Sequence, residues 1–186
     1  MKRAMKRAAP FLIGAATVVW AVAAQNPRIT RATLRAIEES FDKRVLTVSP
    51  DSPFKLLGTT RGTYLNGYGV VFTAEVNLMV TTNLSPFQLE IPKPYVVKVH
   101  AQKLQRLTLF KRSMQEALLA AAASLDTVPA NEQVVLGVSL FYYKWEDTAG
   151  LPSQVVMHAQ RQKLVDVQVG RVNRSALDSV IQIEEL

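Results

Sequence analysis

Hydrophobic positions recur at helical spacing in the first strongly patterned stretch. Leu34, Ile37, Phe41 and Val45 form one stripe from about Thr30 to Leu46, with Arg35, Glu38, Glu39, Asp42 and Lys43 mostly opposite. That pattern predicts a surface helix packing by a single face. Val48 to Pro53, built around Ser49-Pro50-Asp51-Ser52-Pro53, reads as a turn-rich connector. From Phe54 to Val80 the period changes to two. Tyr68, Val70, Phe72, Ala74, Val76 and Leu78 share one face; Gly69, Val71, Thr73, Glu75 and Asn77 share the other. Asn66-Gly67 separates this run from Leu57 to Leu65 and predicts a hairpin closed by a primed turn, whose two central residues both take positive φ.

Thr81 to Pro94 carries Pro86, Pro92 and Pro94 and reads as a loop. After it, Val96, Leu104, Leu107, Phe110, Met114, Leu118, Ala121 and Leu125 cluster on one side of a long helix from about Tyr95 to Asp126, with only Leu109 and Leu119 straying. The β-branched Val96, Val97 and Val99 weaken its first turns, so a late start or a bend near Thr108 is expected. Gln133 to Trp145 and Gln154 to about Gln160 read as a second strand pair. Both faces of the former are apolar, which places it centrally in a sheet. Arg161 to Val169 fits a helix or a strand equally, and Val180 to Leu186 reads as a closing strand.

These elements predict an α+β fold: a mainly antiparallel sheet of about five strands, two hairpins plus a C-terminal strand, with the long amphipathic helix packed on one face and an N-terminal helix beside it. The fold class carries no function by itself.

The chain begins with a different pattern. Lys2, Arg3, Lys6 and Arg7 precede an apolar stretch from Phe11 to Trp20, and small residues end at Ala23 and Ala24. This is the layout of a bacterial export signal with a peptidase site. The apolar core is shorter than the roughly 20 residues of a spanning helix, so cleavage is favoured over retention as a membrane anchor. No consecutive arginines mark a twin-arginine signal, and the absence of cysteine excludes a lipid-modified N-terminus and any structural disulfide. The expected organisation is a signal peptide over residues 1–24, an N-terminal helix and connector over 25–53, and the remainder of one domain over 54–186. The mature protein, 25–186, is then periplasmic or secreted.

Composition changes the picture in one respect. The net charge is +7, but four of those charges lie in the leader and no acid does, leaving +3. The basic balance is therefore mostly the signal's, and nucleic acid is not an expected partner. The run Lys93, Lys98, Lys103, Arg106, Lys111 and Arg112 spreads around the long helix and reads as a solvated face, with Lys103 and Lys111 snorkelling from its apolar edge.

The chemistry is mostly negative. No thiol nucleophile or thiolate metal site exists, and His100 and His158 stand apart, outside any two-ligand helical spacing. Ser52-Pro53-Phe54-Lys55 spells the S-x-x-K of serine acylases, but Pro50 and Pro53 hold it in a turn and its partner motifs are missing. Gly58, Gly62, Gly67 and Gly69 lie within and between strands, unlike a phosphate cradle at a helix start. No catalytic residue, metal ligand or cofactor site is assigned. The candidate binding surface is the strand Phe141-Tyr142-Tyr143-Lys144-Trp145, with Phe141, Tyr143 and Trp145 on one face unless the first helix covers them, extended by Tyr64 and Tyr68 beside the Asn-Gly turn. The expected function is a non-catalytic binding or envelope-associated interaction domain, its partners envelope proteins or polymers. The alternatives are a small periplasmic hydrolase using His158 or a turn carboxylate in a cleft, and a membrane-tethered accessory subunit should the signal be retained.

Overall fold

A computed structural model describes residues 29–49, 51–81 and 90–186. Residues 1–24, where an export signal ending at Ala23 and Ala24 is expected, and most of the proline-rich loop lie outside the described residues. Among the described residues the fold is α+β, with four helices and a mixed six-stranded sheet against which the long helix packs. Among the described residues no helix is long and apolar enough to cross a membrane.

Helix α1 (Arg31–Thr47) starts where Thr30 accepts a hydrogen bond from the Thr33 amide at 3.1 Å. Its buried stripe is the expected Leu34, Ile37, Phe41 and Val45, each side chain stabilising by roughly 1.5–3 kcal/mol when fully withdrawn from water. Glu38, expected on the solvent side, is buried as well. Its carboxylate accepts from the Gly62 amide at 2.7 Å and pairs with Arg31, tying α1 to the first hairpin.

The hairpin is β2 (Arg61–Leu65) and β3 (Gly69–Asn77), preceded by the short β1 (Lys55–Leu56). The expected turn type is not adopted. No described residue other than glycine has positive φ, so Asn66 does not, while Gly67 has φ 79°. Tyr68 N–H donates to Leu65 O at 3.0 Å, which makes Gly67 the third residue of a turn that needs positive φ only there. Gly69 is required for another reason. Its φ is 138°, and a Cβ on it would lie 1.9 Å from the Gln133 carbonyl oxygen.

Strand β3 pairs in parallel with β4 (Gln133–Leu140), Gly69 opposite Gln133 and Val76 opposite Leu140. Because β4 takes that side of β3, β1 and β2 must share its other edge. β4 is central, as expected, with β5 (Gln154–Gln160) and then β6 (Gln182–Glu185) antiparallel beyond it. The ambiguous segment is helix α3 (Arg161–Gln168), followed by a 3₁₀ turn (Arg174–Ala176) and the short α4 (Leu177–Val180).

Helix α2 (Lys93–Ala123) links β3 to β4 and starts early, with Pro92 as its N-cap. Pro94 in the first turn suits the fixed φ there and outweighs the valines. Its inner face turns slightly from the expected one: Leu119 is fully buried, Leu104 is exposed, and Lys103 lies completely inside. The helices cover one sheet face, built from Val70, Phe72, Val76, Val134, Leu136, Val138, Val155 and Met157. Phe72 packs on Phe41 with ring centres 5.1 Å apart, and Phe54 meets Phe110 edge-on at 5.5 Å. On the other face Thr73, Glu75 and Ser139 are exposed.

Candidate functional site

The aromatic segment is not a strand. β4 ends at Leu140, and after one more ladder bond, Phe141 N–H to Val76 O at 2.9 Å, the chain leaves the sheet. A turn from Tyr143 to Glu146 follows, closed by the Glu146 amide on the Tyr143 carbonyl at 3.0 Å. The break coincides with a tertiary contact: Lys103 of α2 is buried nearby, and the turn brings Glu146 to it. Glu146 binds the Lys103 ammonium through Oε2 and accepts from the Thr81 hydroxyl through Oε1 at 3.2 Å. Both side chains of the pair are only 1% exposed. The ammonium also lies 4.9 Å from the centre of the Tyr142 ring and 3.4 Å from the Phe141 carbonyl.

Burial lowers the pKa of Lys103, and Glu146 partly restores it. Burial, then the charge on Glu146, pushes the Tyr142 phenol up to about 12, where its O–H donates to Pro152 O at 2.8 Å. The polar groups at this end of the sheet are thus paired with one another and hold the turn in place.

Above that centre the rings form a ladder. Phe141 meets Tyr143 edge-on at 5.0 Å, Tyr143 stacks on Trp145 at 6.1 Å with planes 7° apart, and Tyr95 from the start of α2 approaches Trp145 at 5.8 Å. Alternate residues do converge, as read from the sequence, but on an irregular segment at the carboxyl end of β4. Helix α1 does not cover them, and Phe141, Tyr143 and Trp145 are each partly exposed. The indole Nε1–H of Trp145 is buried without a hydrogen-bond partner, a donor still to be satisfied. Partly exposed rings offer a stacking surface.

Tyr64 and Tyr68 do not extend this surface. They sit at the amino end of β4, seven strand steps or about 23 Å away. Tyr68 is 48% exposed. Tyr64 donates to Glu132 Oε1 at 3.2 Å, and loss of hydration, then Glu132, raises its pKa. Glu132 is only 7% exposed, and its Oε2, like Gln133 Oε1 and Arg161 Nε, has no partner. No periodicity or motif in the chain signals this second polar centre.

The remaining sequence candidates separate. His100 Nε2 lies 2.7 Å from the Ala149 carbonyl, and His158 Nε2 lies 3.5 Å from Glu184, not beside Glu75 or Asp147. Ser52 lies in a turn and Lys55 in β1, so they do not share a helical turn. The basic run is dispersed: Arg106 donates to the Leu78 and Ser52 carbonyls over the Phe54 ring, and Lys111 pairs with Glu185. Among the described residues no three acidic or histidine side chains group as metal ligands. No family model matches the chain, and neither a curated protein nor a solved structure does.

Proposed function

We propose that the chain is an exported, non-catalytic binding domain and that its ligand contacts the aromatic ladder of Tyr95, Tyr143 and Trp145. The observation that carries this reading is the ladder itself: partly exposed stacked rings with an unpartnered indole donor, held over a buried ion pair that fixes the turn bearing them. Aromatic faces of this kind give contact area at small entropic cost. The leader supports export, and envelope proteins or polymers are then the partner class within reach.

The test is direct, because Trp145 is the one tryptophan of residues 25–186. Its fluorescence should change saturably with soluble envelope polymers or extracted envelope proteins, and Tyr143→Ala should weaken that response about tenfold. Turnover of a panel of ester, peptide or glycoside substrates by the purified mature domain would overturn the non-catalytic reading. Mass analysis of the native protein tests export: Met1 retained in a cytosolic fraction overturns it.

The second reading, a small hydrolase, draws on the His158–Glu184 approach beside a hollow lined by Gln133, Lys163 and Gln182. No hydroxyl side chain lines that hollow, so a reaction there would use water directly. The same panel decides it, with His158→Gln abolishing any turnover found.

A further inference from the structure

A groove of about 330 Å³ runs between the last turns of α1 and the middle of α2, lined by Ser40, Lys43, Arg44, Thr47, Val48 and Ser113. We propose that this groove binds a tetrahedral oxyanion of the phosphate-monoester class. It is distinct from the aromatic ladder and stands whether or not that surface is the ligand site.

Three observations converge. First, the lining carries two cations and no carboxylate, and among the described residues neither Lys43 nor Arg44 is in an ion pair, although Arg44 is partly buried. Second, Ser113 is 6% exposed, lines the groove, and its hydroxyl has no hydrogen-bond partner. A buried hydroxyl left unpaired is costly unless something meets it. Third, Thr47 donates its proton back to the Lys43 carbonyl at 2.9 Å, leaving the Ser40 and Ser113 hydroxyls to act with the ammonium and guanidinium. A phosphate monoester matches this set better than a carboxylate does, because its three terminal oxygens and charge of about −1.5 to −2 can meet two cations and two hydroxyls from different directions.

The cations have a simpler role to be weighed against this one. Near the carbonyl end of α1 they offset the helix dipole, which itself disfavours an anion. That role explains Lys43 and Arg44 but not the unpaired hydroxyl of Ser113 on the facing helix. A smaller hollow between the same helices shares Ser40 with the groove and is lined mainly by Ala36, Ile37, Ala117 and Ala121, with Thr33 and Ser124 at its polar side. It would receive the organic part of an ester.

The experiment uses the mature protein with inorganic phosphate, phenyl phosphate, and vesicles of phosphatidylglycerol or phosphatidylcholine. Calorimetry should show saturable binding of phosphate, tighter for phenyl phosphate, and Ser113→Ala and Arg44→Gln should each weaken it about tenfold or more. Because Ser113→Ala removes an unpaired group, its melting temperature should not fall, which separates lost binding from lost folding. Sedimentation with phosphatidylglycerol vesicles only, abolished by the same substitutions, assigns the phosphate to a lipid headgroup. Binding of the free esters without sedimentation assigns it to a soluble ligand. No saturable binding to any probe, or binding indifferent to both substitutions, overturns the proposal. Unchanged anion binding with a lowered melting temperature in Arg44→Gln leaves dipole compensation as that residue's role and equally overturns it.

Discussion

Two withdrawn carboxylates at opposite ends of β4 show how differently one sheet treats a buried charge. At the carboxyl end, Glu146 has both oxygens engaged, by Lys103 and Thr81. At the amino end, Glu132 has one oxygen on Tyr64 and the other on nothing. Removing a charge from water is offset only by a close opposite charge and full hydrogen bonding. The first site meets that condition and fixes a turn bearing aromatic rings; the second does not. The closed end is therefore the one whose geometry depends most on its polar groups.

Cutting the closed pair should have the largest effect. Lys103→Met leaves Glu146 buried without its cation and should destabilise by about 3–5 kcal/mol in urea unfolding, while adding Glu146→Leu should recover most of the loss. Failure of the double substitution to recover it would show that packing, and not the charge, governs this end. At the other end the backbone is the stronger constraint. Gly69→Ala forces a Cβ against the Gln133 carbonyl at an unfavourable φ and should destabilise by about 3 kcal/mol by the same measurement. Glu132→Gln keeps an acceptor for Tyr64 and removes an uncompensated charge, so its effect should stay within about 1 kcal/mol. A larger loss would mean that Glu132 is as well compensated as Glu146.

A further effect, confined to one pH range, lies in alkaline solution. Tyr142 titrates near 12 in the folded protein against 10.0 ordinarily, so its contribution to stability is complete below pH 10 and is lost as the pH rises through about 12. Lys103, with its pKa lowered by burial, acts in the opposite direction as it sheds its proton before the unfolded chain does. Comparing Tyr142→Phe with the parent isolates the tyrosine: the substituted protein should lose stability less steeply above pH 10, and phenolate absorbance should lack the component near 12.

Much of the fold was legible. The stripe of Leu34, Ile37, Phe41 and Val45, the alternation of Val70, Phe72 and Val76, and the central place of β4 follow from periodicity, because burying one face of an element demands that spacing. The site was legible in part. Phe141, Tyr143 and Trp145 do gather, yet extending their strand past Leu140 missed the turn, since the apolar alternation continues where the hydrogen-bond ladder does not. Residue type groups Tyr64 and Tyr68 with them, but only strand pairing decides that they sit at the other end of β4.

Local pattern determined most of the helices and strands and the main apolar face of α1, β3 and β4, because periodicity is a property of neighbouring residues; the segment Arg161–Gln168 and the end of β4 it did not determine. Only the tertiary structure decided that Lys103 is buried against a carboxylate 43 positions away, that Tyr64 finds Glu132 across 68, and that Ser113 faces the basic end of α1. A charge beside an apolar stripe reads as snorkelling until the fold supplies its partner. Pairing between distant segments is set by how the layers close, and that leaves no periodic trace in the chain.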